Sequence, residues 1–454
     1  MAHPPFENLL QFYNRELFGN ILPFWMKNGI DLQHGGFFTC FSNDGGRLLH
    51  RHKFTWSQGR FLWVLSRLYR SLEGRAGESE RKRYLEPAAA GAEFLTGHAR
   101  LDNGNCAFIL DERGGPVLLD RDGKARGAAP GEGYDLSVYA DFFVIYGLGE
   151  YARASGDRRS LDFALELYEH TRRRLESGDY RTDPYPVPDG YKVHGLPMIR
   201  LETAQELACA AESLGLEQKA AGLRAEADEC AAEIFTNFRL PQEKLILEMI
   251  GTDNRPRDTL LGRYVCPGHV IEDMWFIMHR ALARQDMDLF GAAAETLKAA
   301  VELGWDQQHG GFFLFIDREG GVPPAGELPA ELARHVMAVK ARSDWPNKLW
   351  WVHSEALYTL LLAYSRLGRP WMLDWYWKVH EYTFATFPNP DRLVGEWIQI
   401  RDRQGKPESK VVALPVKDPF HIARALLLAI PVIEGLVYQE QKSREAAEDQ
   451  GEGE

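Results

Sequence analysis

His269 and Glu272 stand one helical turn apart in Pro267-Gly268-His269-Val270-Ile271-Glu272-Asp273-Met274-Trp275, and a second histidine, His421, follows Asp418-Pro419-Phe420 near the other end of the chain. Histidine is the side chain best suited to give and take protons near neutral pH. Asp418 reads as a helix cap with Pro419 as the first helical residue, and Pro267-Gly268 leads into a helix in the same way. Each imidazole therefore falls in a first turn, where the positive end of the helix dipole disfavours the cation and keeps the ring neutral, as a general base requires. On a helical wheel Val270, Ile271, Met274, Met278 and Leu282 share an apolar arc. His269, Glu272, Phe276 and His279 share the adjoining arc, with Trp275 at the seam. An exposed polar edge would give the same wheel; the pairing of two histidines at equivalent helix starts is what points to chemistry.

The elements that position these residues repeat. Asp31-Leu32-Gln33-His34-Gly35-Gly36-Phe37-Phe38 is written again as Asp306-Gln307-Gln308-His309-Gly310-Gly311-Phe312-Phe313, and each copy leads to a Gly-Gly turn. Lys53-x-x-Trp56 then opens a helix carrying Arg60, and Lys348-x-x-Trp351 opens one carrying Glu355. Such a repeat predicts one toroidal or stacked architecture in place of independent domains. The apolar periodicity predicts twelve helices, at residues 6–27, 53–72, 79–99, 136–155, 158–177, 200–214, 217–237, 269–283, 286–303, 348–367, 370–387 and 419–437. Alternate members (53–72, 136–155, 200–214, 269–283, 348–367, 419–437) are apolar or aromatic and suit an inner ring; their partners carry charge on one face. The predicted fold is all-α, an (α/α)6 six-hairpin barrel with short β-hairpins in its connecting loops. It spans residues 1–437 as a single catalytic domain, followed by an acidic, disordered tail at 438–454. Two long connections, Tyr180–Pro197 and Gly320–Asn347, are candidate lids or binding loops.

If the inner helices start at one rim, Arg60, Tyr139, His269, Glu272, Trp351, His353, Glu355 and His421 converge on a central pocket rich in aromatic faces, a lining suited to sugars. Arg60 could equally be a buried ion-pair partner of Glu355 or Glu272 at the pocket wall. His34, His309, His353 and Cys266 lack the close spacings of zinc sites, so no metal is expected. Nucleotide-binding glycine motifs are absent. The net charge of −12, from 65 acidic and 53 basic residues, argues against nucleic acid as a partner. Five scattered cysteines, no secretory leader pattern and no apolar run approaching 18 residues lead to the expectation of a reduced, cytoplasmic protein without membrane insertion.

Taken with Gln58-Gly59-Arg60, Lys348-Leu349-Trp350-Trp351-x-His353-Ser354-Glu355-Ala356 and Lys417-x-x-Phe420-His421-x-x-Arg424, these motifs resemble the N-acyl-D-glucosamine 2-epimerase family over about residues 7–437. Relatives within it include cellobiose 2-epimerases and mannose or sulfoquinovose isomerases. The resemblance implies the six-hairpin barrel, catalytic histidines at His269 and His421, and an anion-stabilising arginine at Arg60. It also implies sugar contacts from Tyr139, Glu202, Glu272, Trp275, Trp351, His353, Glu355 and Lys417. No cofactor is required on this reading; ATP as an activator, a sugar as the partner and a homodimer are expectations carried by the resemblance alone. The implied reaction interconverts N-acyl-D-glucosamine and N-acyl-D-mannosamine by removing and returning the carbon-2 proton through an enediolate. Mannose or cellobiose epimerisation and aldose–ketose isomerisation are alternatives within the family. A glycoside hydrolase on the same barrel, needing two carboxylates, and a non-catalytic sugar-binding module are alternatives outside it. One position departs from the pattern: where Glu202 stands, the N-acylglucosamine enzymes carry Asn, which leaves the sugar open.

Overall fold

The computed structural model describes residues 4–120, 122–410 and 414–451, with side chains to residue 445. Six helices form an inner ring: Thr55–Ser71, Val138–Ser155, Gly195–Ser213, Pro267–Arg284, Trp350–Leu367 and Phe420–Gly451. Each packs on the next, and the last returns to the first, so the ring closes. Five outer helices (Glu78–His98, Arg158–Ser177, Glu217–Glu233, Met287–Gly304, Pro370–Thr386) follow them in alternation, and Phe6–Glu16, prolonged through a π turn into Leu22–Asn28, completes the outer layer. Composition explains the division. In Val138–Ser155, residues 142–150 are buried without interruption, because neighbours surround that helix. In Arg158–Ser177 only a stripe is buried, led by Leu161, Ala164, Leu167, Tyr168 and Thr171, the i, i+3, i+4 face of an amphipathic helix.

Short extended pairs tie the rings together. Lys53–Phe54 pairs with Ile109–Leu110, Tyr191–Val193 with Met249–Gly251, Tyr264–Val265 with Ile316–Asp317, and Lys348–Leu349 with Ile400–Arg401, all antiparallel. Ser137 bridges Thr182, and Lys417 N donates to Thr39 O at 2.7 Å. The residues that enter each inner helix are thus hydrogen-bonded to the segment that follows the next outer helix, six times round the barrel. Local turns such as Phe41↔Leu48 exist as well, yet the pairings that hold the rim are these longer-range ones.

Some expectations need correction. The third inner helix begins at Gly195 and not near residue 200, since Pro197 sits in its first turn, where proline removes no intrahelical bond. Two short helices, Leu260–Arg263 and Val336–Ser343, occur within connections that the periodicity leaves unassigned. The last helix continues past Tyr438 to Gly451, so the described part of the expected disordered tail is helical; residues 452–454 lie outside the described residues. Gln, Glu, Lys, Arg and Ala dominate there and are strong helix formers, and Glu440 accepts the Phe6 backbone N–H. By length and hydropathy this helix could cross a bilayer, but 67% of its apolar window is buried inside the barrel.

The repeat is a structural one. Lys53 Nζ binds Asp31 (2.7 Å) and Gly35 O (2.6 Å), as Lys348 Nζ binds Asp306 (3.1 Å) and Gly311 O (3.2 Å). Gln58 and His353 occupy matching places five residues beyond the two lysines. Gln58 Oε1 accepts Phe37 N at 2.7 Å, and His353 Nε2 accepts Phe312 N at 3.0 Å while its Nδ1 lies 2.7 Å from Leu349 O. His353 is fully buried outside the central cavity, and burial depresses its pKa to about 3. It therefore supports the hairpin and does not line the cavity. His353→Ala leaves the Phe312 N–H unsatisfied, a loss of about 1–3 kcal/mol, so the melting temperature falls while kcat/KM changes little. A collapse of kcat/KM at unchanged melting temperature would return His353 to the site.

Candidate active site

Helix starts of the inner ring surround a cavity of 260 Å³. Two close helix contacts fix its wall. A Cβ on Gly59 would meet Phe143 O at 1.9 Å, and one on Gly147 would meet Gly59 O at 2.3 Å, so only glycines let these two helices approach and set Arg60 at the rim. A Cβ on Gly268 would meet the Trp351 ring at 2.5 Å. Its absence lets Trp351 lie between the two histidines, 5.3 Å from the His269 ring and 5.6 Å from the His421 ring. The imidazoles are thus no further apart than those two distances laid end to end, and both line the cavity.

His421 Nδ1 lies 2.8 Å from Glu355 Oε1, which leaves Nε2 for the cavity. Burial above all, reinforced by Arg60 and Arg424 against the opposing pull of Glu272, lowers its pKa to about 3, so the ring is neutral. His269 behaves differently. Its Nδ1 lies 3.0 Å from Glu248 Oε2, and its side chain remains 39% exposed. Burial lowers its pKa, but Cys266 and Glu248 outweigh that and hold it well above the ordinary histidine value. The expectation that the helix start keeps both rings neutral is corrected for His269: a dipole worth about 0.3–1 kcal/mol yields to a carboxylate in direct contact. Behind Glu248, His194 Nε2 lies 2.9 Å from Asp273 Oδ2, both fully buried.

Arg60 packs its guanidinium over Phe143 (4.2 Å), Phe420 (5.0 Å) and Trp56 (5.1 Å). Its ion partner is Asp418 at 3.5 Å, neither Glu355 nor Glu272. Burial lowers its pKa from the usual arginine value. Tyr139, Glu202, Glu272 and Trp351 also line the cavity, as expected. Trp275, Glu355 and Lys417 do not. Trp275 Nε1 donates to Glu355 Oε2 at 2.8 Å, and Glu355 also binds Arg424 at 2.7 Å, so these two residues orient His421 from behind. Lys417 is buried against Glu396, Trp397 O and Asn43 O. Its ammonium is held by that cluster of loop groups and does not line the cavity.

Sequence reasoning passes over Glu248, Asp418 as the arginine's partner, and Arg424, which bridges Glu272 and Glu355. A signal for Glu248 exists: it is the one charge in the apolar run Leu245–Ile250. Both long connections reach the cavity, through Tyr185 on one and Met337, Lys340 and Asp344 on the other, and Lys340 Nζ sits 5.8 Å above the Tyr185 ring. Among the described residues, two sets of potential ligand atoms lie within 4.8 Å of one another, Glu248–Cys266–His269 and Glu272–Glu355–His421. In each, hydrogen bonds already join the histidine to a carboxylate, and in the second Arg424 supplies the cation.

Comparison with known proteins bears on this arrangement. The family model for N-acylglucosamine 2-epimerase (GlcNAc 2-epimerase) matches residues 36–425. N-acylglucosamine 2-epimerase of Bos taurus is 30% identical over 429 residues, 93% of this chain and 90% of that protein. Cellobiose 2-epimerase of Bacteroides fragilis is 31% identical over 163 residues, 36% of each chain. The structure of cellobiose 2-epimerase from Spirochaeta thermophila superposes with a TM-score of 0.71 at 20% identity, covering 95% of this chain and 98% of that one, and so shares the barrel fold. Motifs, barrel and full-length similarity agree, and the chain belongs to the N-acylglucosamine 2-epimerase family.

Proposed function

We propose that the protein epimerises carbon 2 of an aldose, with N-acyl-D-glucosamine and N-acyl-D-mannosamine as the pair. The observation that carries this reading is the placement of two histidines against one tryptophan, each with Nδ1 tied to a carboxylate, beside an arginine in the same cavity. Epimerisation removes a weakly acidic proton, holds a planar enediolate and delivers a proton to the opposite face, which one residue cannot easily do. At neutral pH His421 is the base and His269, paired with Glu248, the acid. Arg60 faces the oxyanion that forms on the open-chain carbonyl. As that charge grows it offsets Arg60, one of the cations that weaken His421, so the base strengthens as the proton leaves.

Similarity at 30% over nearly the whole of an N-acylglucosamine 2-epimerase supports the substrate class, and a cavity near the lower end of small-molecule sites, about 300 Å³, suits one sugar unit better than two. A hydrolase built on Glu272 and Glu355 is disfavoured because the two share Arg424 and Glu355 is set back from the cavity, so this pair does not flank a glycosidic bond. The test is incubation with N-acetylmannosamine, mannose, cellobiose and sulfoquinovose in deuterated water, followed by NMR. Deuterium at carbon 2 of N-acetylglucosamine is expected. A ketose as main product would make the enzyme an aldose–ketose isomerase, and cleavage of cellobiose would make it a hydrolase.

A further inference from the structure

Glu202 is buried, lines the cavity, and has no ion pair within 4 Å among the described residues. The cations that reach it are already committed. Arg67 lies between Glu150 (3.1 Å) and Glu206 (2.8 Å), and Arg424 between Glu272 and Glu355. Its own hydrogen bonds come from neutral groups: Tyr146 OH at 3.4 Å and Gln205 Nε2 at 3.2 Å. Around it stand Glu206 one turn along its own helix, Glu272 from the next inner helix, Tyr146, Tyr358, Arg67 and Arg424. A second carboxylate charge in this space, unpaired and away from water, costs more than keeping the proton.

We propose that Glu202 meets the bound sugar as a neutral carboxylic acid, its O–H donating a hydrogen bond to an uncharged acceptor such as an acyl carbonyl or hydroxyl oxygen. This rests on the sugar-epimerase reading and deepens it, because a side chain that looks anionic in the sequence then supplies the same kind of donor as an amide. The weak 3.4 Å contact leaves Oε1 the freer oxygen. Burial, with Glu206 next, raises the Glu202 pKa well above the ordinary carboxylate value, in keeping with the geometry. The neutral form persists below that raised value, and the donor disappears as pH rises through it.

Two measurements test this. Difference infrared spectra of the wild type against Glu202→Gln at neutral pH should show a carboxylic-acid C=O band belonging to the wild type; no such band means that Glu202 is ionised and overturns the proposal. Rates with N-acetylmannosamine between about pH 6 and 10 should show Glu202→Gln, a permanently neutral donor, losing at least about tenfold less kcat/KM than Glu202→Ala. The His269 acid loses its proton in both enzymes as pH rises, so the signature of Glu202 is a ratio of wild-type to Gln-variant kcat/KM that falls as pH rises. Equal losses in the Gln and Ala variants, or a wild-type-to-Gln ratio that stays constant across this pH range, would overturn the donor role. Glu202→Asn takes the place of Gln if the latter misfolds. Should the wild type convert no sugar, the epimerase reading fails, while the infrared band still decides the state of Glu202.

Discussion

His269→Asn exchanges the carbon-2 hydrogen of one epimer with solvent deuterium yet forms almost none of the other, whereas His421→Asn at neutral pH does neither. The difference follows from the environments of the two rings. His421 is neutral at neutral pH, with Nδ1 fixed by Glu355 and Nε2 available, so alone it can remove a proton and return one to the same face. His269, held by Glu248, keeps its proton and cannot begin the reaction from its side when it stands alone. Net epimerisation falls by about 10²–10⁴ in either variant, the range for loss of a positioned acid or base. NMR of both sugars in deuterated water reads exchange and conversion together. Exchange by His421→Asn with none by His269→Asn would reverse the assignment, and full activity in either variant would remove that histidine from the mechanism.

Arg60→Lys lowers kcat by about 10²–10³, corresponding to roughly 2.7–4 kcal/mol for a lost preorganised oxyanion donor, and leaves KM within about threefold. The guanidinium is held by the faces of Phe143, Phe420 and Trp56 and, among the described residues, has a single long ion contact, to Asp418, so its donors remain for the developing charge. An ammonium ion is shorter, more strongly hydrated and lacks the planar fork, so it neither stacks nor reaches in the same way. Steady-state kinetics in both directions gives the split. A raised KM at unchanged kcat would make Arg60 a ground-state binding residue.

Sequence by itself determined the barrel and the two histidines that meet in its central cavity, for physical reasons. Uninterrupted apolar helices alternate with amphipathic ones because inner helices bury every face and outer helices one. The duplicated Asp-x-x-His-Gly-Gly-Phe-Phe hairpins recur because the same lysine–carboxylate clasp is needed twice, at Lys53–Asp31 and Lys348–Asp306. Helix-start signals at Pro267 and Asp418-Pro419 placed His269 and His421 at the rim. What only the tertiary structure decided is which polar residues face the cavity and what charge they carry. Trp275, His353, Glu355 and Lys417 lie within the motifs that carry the family resemblance but turn toward neighbouring elements. Glu248 immediately precedes the strand Met249–Gly251, beyond the preceding outer helix, and its carboxylate reverses the protonation that a first turn alone favours for His269. Helical spacing assigns a side chain to an arc, but its proton affinity depends on charges a few ångströms away. In this barrel those charges come from other elements: the segment before Met249–Gly251 for His269, and three other inner helices for His421.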